Sequence, residues 1–580
     1  MRTRLRHPSA LLVAAVVLLA AWGALSATRT TPRPLPRAVA LRAVLDSPRT
    51  MRVLGRGQRW TSARVGAVDA TTTRVTLFRG PRIVAEVAVS ARGRVERFID
   101  FRGMPVSYGV PLLQRPLALL IAALAFLLAT AVVPLRRLRN LDVAALLALV
   151  APLVLLDERL IVASTFAAVP PLLWLTGRCT WAALGPRRPA APSRPLLDAI
   201  TPAWSDGQRV RMLRLAVGVA AACVAMVTIS AQSTVDVGQA LMEGATLLTH
   251  GTLPYGHLPG DVFHGDVYPL LSYAVYMPLA IPLPVRDSWD VANGALIVAA
   301  AAALAGAWLI SHVAGEWRRA PGKDAAGVAC FAREPARTPA GAMPASPAAG
   351  LRAALAWLTL PPLLVTVSTG TSDVLLGALL LAALALARRP LASAATILLA
   401  GWFKVVPFAL LPIWLARLRG RRLAAALALV VASAAVTVLA LVALGGSGAP
   451  VRMLRAVAYQ ADRRTLHSPW TLLGIEWLQP LGQAAVLALV AAATMRARQD
   501  SAFAQDPARL AALAGAVLLG VQLTGNYWTY LYLAWVVPCV VVGLLADTPA
   551  PARARVAARA LNPARRNADL DPGGVVPAPS

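Results

Sequence analysis

Acids, histidines and aromatics crowd into one short stretch, 231–268, of an otherwise acid-poor chain. The stretch holds Asp236, Glu243, Asp261 and Asp266, then His250, His257 and His264, and also Tyr255 and Tyr268. A carboxylate just beyond the end of an apolar segment is partly desolvated, which suits a general base. If 234–249 is helical, Asp236 and Glu243 fall on one face two turns apart. The plainer role for Asp236 is a helix cap. The histidines recur every seven residues, a spacing that matches no standard metal motif, so no metal is expected.

A second set of candidates lies further on. Lys404 sits inside an apolar run, 398–415, where a charge is costly unless it has a task or snorkels to the interface. Arg463 and Arg464 form a basic pair in a loop, followed by His467. Asp373 stands at the start of an apolar run and reads as a cap, with a functional role as the alternative. Asn526-Tyr527-Trp528 and Tyr530 end another run, where Trp and Tyr commonly form an interfacial belt, with sugar contacts as the alternative.

The elements that must position these residues are apolar. Of the 580 residues 57% are hydrophobic and 14% charged, the latter about half the share of a soluble domain. Soluble enzymes, disordered chains and disulfide-rich modules are thereby excluded. Recurrent apolar runs predict an all-α polytopic membrane protein with about 13–15 transmembrane helices. The net charge is +30 and all but Lys323 and Lys404 of the basic residues are Arg. These arginines lie mostly between the runs, as expected for cytoplasmic loops, so the partner is anionic lipid headgroups and not nucleic acid. The four cysteines show neither CxxC nor zinc spacing.

Residues 1–27 carry Arg2, Arg4 and Arg6 before an apolar run and read as a signal anchor, with a cleavable signal peptide as the alternative. Residues 28–112 read as a small β-rich extracytoplasmic domain. Ile83, Ala85, Val87 and Val89 alternate with Val84, Glu86, Ala88 and Ser90, and Gly80-Pro81 and Gly93 mark turns. Residues 113–177 supply three spans. The Pro- and Arg-rich segment 178–214 reads as a cytoplasmic linker separating an N-terminal module from the rest. The spans of 215–546 follow, and 547–580 reads as a disordered cytoplasmic tail. The basic loops require an odd number of crossings between 230 and 312, yet two runs are visible there, 269–284 and 291–311, so one of them is expected to be half-inserted or tilted.

Several of these pieces occur in an order that resembles GT-C glycosyltransferases, most closely the polyprenol-phosphate-mannose-dependent mannosyltransferase group of actinobacteria. They are Asp236, Gly244, Gly251, Pro254-Tyr255 and Tyr268-Pro269; then Pro361-Pro362 and Gly370-Thr371-Ser372-Asp373, with Thr371 in place of the usual Gln; then Gly401 through Lys404 to Pro407, ending at 417–422; then Tyr459-Gln460 through Arg463-Arg464 to His467-Ser468. The resemblance covers about 210–546 and leaves 1–200 outside it. It implies an inverting transfer of a sugar, mannose for that group, from a polyprenyl phosphate to a lipoglycan, cell-wall glycan or protein acceptor on the extracytoplasmic side of the cell membrane. It implies Asp236 as the catalytic base, with no cofactor beyond the lipid-linked donor.

A polyprenyl phosphate leaving group needs cationic contacts, for which Lys404, Arg463 and Arg464 are the candidates. Glu243, Tyr255, Asp261, His264, Asp266, Tyr268 and His467 are the candidates for substrate contacts. Two rival readings share the span pattern: a transporter or flippase of lipid-linked saccharide, and a non-catalytic membrane scaffold. A transporter should show internal repeats and midplane charges, neither of which is evident here.

Overall fold

The computed structural model describes residues 35–48, 50, 60–67, 72–100, 115–186, 193–231, 234–258, 265–285, 291–316, 347–462 and 465–545. The expected signal anchor, the tail, Asp261, His264, Arg463 and Arg464 lie outside the described residues.

Near the N-terminus four strands form an antiparallel meander, β1 (Ser62–Ala67), β2 (Thr72–Arg79), β3 (Arg82–Ser90) and β4 (Val95–Asp100), in the order β1-β2-β3-β4. The alternation in β3 does what its period demands. Ala85, Val87 and Val89 are fully buried beside Val75 and Leu77 of β2, and the helix Arg37–Leu45 covers them with Ala40 and Val44. A two-residue turn joins β2 to β3, with Gly80 at φ +59°, a conformation that favours glycine. The sheet touches the helical part through an Arg82–Glu158 ion pair (2.8 Å) and the Ile83 N–H, which donates to the Arg159 carbonyl.

The rest is helical. Among the described residues six helices are long and apolar enough to cross a membrane: Leu138–Asp157, Asp206–Ile229, Asn293–Gly315, Gly420–Gly445, Glu476–Gln499 and Pro507–Thr524. A seventh span is made if Pro347–Thr359 and Pro361–Ser368, bent by 58° at Leu360-Pro361, count as one. Five further apolar helices are shorter, Pro116–Thr130, Asp373–Ala385, Pro390–Phe403, Val406–Ala416 and Tyr530–Leu545. The larger sequence count treats each apolar run as one straight span. Prolines and glycines break several of them, because proline removes a backbone donor and clashes with the preceding turn. Of the two runs between 230 and 312, 291–311 becomes the long helix Asn293–Glu316. The other forms only the short helices Leu270–Ala274 and Met277–Ala280.

The helices differ sharply in burial. Pro507–Thr524 is central, with 67% of its apolar window buried, whereas Gly420–Gly445 has 6% and presents Leu427, Val431, Val436 and Leu439 outward. Exposed apolar surface of this extent is compatible with a membrane protein.

Residues 116–184 are not a separate module. The helix Ile161–Leu184 packs along Pro507–Thr524, where Gly515 admits the Cys179 thiol, and one continuous core embraces both. The segment expected to be a linker is itself built in. Its first residues finish the helix Ile161–Leu184, Arg194-Pro195 pairs with Val132-Val133, and Asp198 receives Arg352 at 3.2 Å.

Candidate functional site

Asp236 is the first residue of the helix Asp236–Thr249, so the condition under which Asp236 and Glu243 share a face is met. Its carboxylate is exposed and accepts from the Val237 N–H, at the helix end where the backbone dipoles favour negative charge. The start of this helix is fastened to the turn before Asp373. The Val235 N–H donates to the Thr369 carbonyl at 3.0 Å, and a Cβ on Gly238 would lie 2.6 Å from the Gly370 carbonyl oxygen. Gly370 itself has φ +67°. Glycine at both positions therefore lets two backbones meet.

That turn delivers Asp373, 1% exposed, to the start of the helix Asp373–Ala385. One carboxylate oxygen, Oδ2, accepts from the Thr371 hydroxyl at 2.7 Å. The other, Oδ1, accepts from Lys404 Nζ at 2.5 Å. Lys404 ends the helix Pro390–Phe403 in extended backbone, and the Ser272 hydroxyl donates to the neighbouring Phe403 carbonyl. The ammonium also faces two tyrosine rings, 5.0 Å from the centroid of Tyr532 and 5.9 Å from that of Tyr268.

Tyr268 is held by a ladder of aromatic rings. It meets Tyr273 edge-on, and Tyr273 meets Tyr255 likewise, each pair with centroids 6.2 Å apart. The Tyr255 hydroxyl donates to the Tyr268 carbonyl at 2.9 Å, and the Tyr273 hydroxyl to the Gly265 carbonyl at 2.7 Å. Asp266 accepts from the Gly256 N–H at 3.3 Å. Burial first, and then the charges of Asp236, Tyr532 and Asp373, push the Tyr268 phenol well above its ordinary range. The phenol therefore stays protonated and can donate a hydrogen bond within electrostatic reach of both carboxylates.

His467 joins from another loop. Its ring lies 4.8 Å from that of Tyr527, which in turn meets Tyr532 at 6.0 Å. The Trp528 N–H donates to the His467 carbonyl, and the Thr465 hydroxyl to the Asn526 carbonyl, so these two loops are tied together.

Asp236, Tyr268, Lys404 and His467 thus belong to one neighbourhood. Tyr255 and Asp266 support the loop that carries Tyr268. Glu243 lies two turns along the helix of Asp236 but is buried, with Oε1 accepting from Gln239 Nε2 at 3.0 Å. Among the described residues no three His, Cys, Asp or Glu side chains come together as metal ligands.

The sequence puts a cap ahead of a functional role for Asp373, and does not single out Tyr532. A signal for the first was present. Asp373 is the only charged residue in 353–387 and Lys404 the only one in 390–416. Two lone opposite charges in successive apolar segments are each costly to bury alone, and pairing removes most of that cost.

No family model, curated protein or solved structure matches the chain.

Proposed function

We propose that the chain is an integral-membrane glycosyltransferase that moves a sugar, mannose in the first instance, from a polyprenyl phosphate to a glycan, glycolipid or protein acceptor outside the cytoplasmic membrane. The observation that carries this reading is the convergence of an exposed carboxylate, Asp236, with a cation, Lys404, around Tyr268. Four chain segments meet there, at one end of the short apolar helices. The basic pairs Arg388-Arg389 and Arg421-Arg422 lie at the other ends of those helices, which supports an extracytoplasmic site.

In this reading Asp236 takes the proton of the acceptor hydroxyl as its oxygen attacks the anomeric carbon. The bond from that carbon to the phosphate oxygen breaks, its electron pair stays on the phosphate, and the configuration inverts. Lys404 opposes the charge that grows on the departing phosphate. Tyr268, Tyr527 and His467 offer flat faces and donors to the sugar.

The test is transfer by the purified protein in lipid, with polyprenyl-phospho-mannose and an envelope extract from a strain lacking the gene. Failure with every polyprenyl-phosphate sugar tried sinks the proposal. A transporter of lipid-linked saccharide is the second reading, and the buried Asp373–Lys404 pair favours it, because ionisable pairs inside helix bundles often mark transport paths. Movement of labelled lipid-linked sugar across vesicles, without transfer, would establish that reading instead.

A further inference from the structure

Lys404 already has an anionic partner, and this bears on how it could hold a second one. Asp373 Oδ1 lies 2.5 Å from Nζ, and the Thr371 hydroxyl fixes the other oxygen at 2.7 Å. Asp373 is almost fully buried at a helix start, and its carboxylate is held on two sides, by the ammonium and by the hydroxyl, which also accepts from the Asp373 N–H. The lysine side chain is 12% exposed, and the rest of its ammonium faces the rings of Tyr532 and Tyr268. An anion approaching from that side meets a cation whose charge is already balanced.

We infer that Asp373 and the phosphate of a lipid phosphate are alternative counter-ions of Lys404. Asp373 neutralises the ammonium while the site is empty and weakens its grip on phosphate when the site is filled. The inference rests on the reading of Lys404 as a phosphate contact. It adds a role for Asp373, that of a fixed counter-charge that keeps phosphate exchange fast. A phosphate within hydrogen-bond reach of Nζ comes within roughly 5–6 Å of the carboxylate, where two negative charges still repel strongly in a partly dry site. Binding is held down by that repulsion, and the leaving phosphate is released sooner.

The test uses purified full-length chain in nanodiscs and three probes: a short-chain polyprenyl phosphate, the polyprenol of the same length, and inorganic phosphate. Asp373→Asn should bind the polyprenyl phosphate at least about tenfold more tightly than wild type, with the alcohol unaffected. Tightening of inorganic phosphate as well would mark the site as reading the phosphate group alone; tightening of the lipid only would mark the chain as part of the ligand. Either supports the inference. The doubly neutral D373N/K404Q leaves no buried charge unpaired and should lose the preference for phosphate over alcohol. Asp373→Ser serves if the Asn variant does not fold.

Equal or weaker phosphate binding by the Asp373 variants overturns the inference, as does absence of phosphate binding in wild type and variants alike. Sugar transfer measured on the same preparations separates the two ideas. Transfer without tightening removes the counter-charge and leaves the transferase. Tightening without transfer does the reverse.

Discussion

Gly244 lies directly beneath the ring of Tyr273, and a Cβ at that position would penetrate the ring edge. Tyr273 is fully buried and stands between Tyr255 and Tyr268, so the ring has nowhere to retreat. The glycine is what lets the helix of Asp236 and the Tyr268 loop approach each other. Gly244→Ala should therefore cost about 1–3 kcal/mol by overpacking. It should also lower activity beyond the loss of folded protein, because it shifts Tyr268. Thermal unfolding in detergent alongside transfer per folded molecule measures both; a variant as stable and active as wild type contradicts this account.

The Tyr255 hydroxyl is spent on the Tyr268 carbonyl. Tyr255→Phe keeps the ring and leaves that carbonyl without its donor, for an expected loss of about 1–3 kcal/mol. If Tyr255 also touched the sugar, kcat/KM for transfer would fall by more than its partner role explains. Comparison with Tyr273→Phe, which removes the neighbouring bond to Gly265, calibrates the loss.

Asp236 is exposed, opens its helix and accepts only a local backbone hydrogen bond among those described. Asp236→Asn keeps that acceptor and the shape, so unfolding should change by less than about 1 kcal/mol. Transfer should fall by about 10²-fold or more if the carboxylate is the base. An unaffected rate would move the base elsewhere, and Asp266 is the described acid to examine next.

How much of this was legible in the sequence differs from residue to residue. The strand β3 was visible because a period of two leaves a strong mark: Ile83, Ala85, Val87 and Val89 are buried as that period requires, and Val84 of the other phase is buried besides. For the helix Asp236–Thr249 the sequence offers only a conditional: if the segment is helical, Asp236 and Glu243 share a face, and it is helical. Burial of Glu243 was not legible, since period says which residues share a face and not which neighbour covers it. That one of the runs 269–284 and 291–311 is irregular was legible from the crossing count, but which one was not, because hydropathy sums apolar character and is blind to the prolines at 269, 278, 282 and 284.

The Asp373–Lys404 pair escaped for another reason. An acid at a helix start already has a sufficient local role, so nothing local points to a partner 31 residues away. The basic segment 178–214 was legible in charge but not in placement. Arg178 looks like a loop arginine by composition, and in the fold it belongs to a helix and faces inward.

That arginine supports the last prediction. Asp142, fully buried, accepts from Arg178 Nε at 2.9 Å and Nη2 at 3.0 Å, and from Trp174 Nε1 at 3.0 Å. The bidentate pair joins the helices Leu138–Ala148 and Ile161–Leu184. The second of these packs along the central helix Pro507–Thr524, so the pair fixes the N-terminal helices onto the core. Removing one partner strands a buried charge. Arg178→Met should cost about 3–5 kcal/mol, and the double variant D142N/R178M should recover most of that loss. The full cycle, with Asp142→Asn as the other single variant, reads the coupling from four unfolding midpoints in one detergent. Additive losses would mean that each side chain acts alone. A recovered double variant that keeps whatever transfer the wild type shows would mean that the pair serves the fold and not the proposed chemistry.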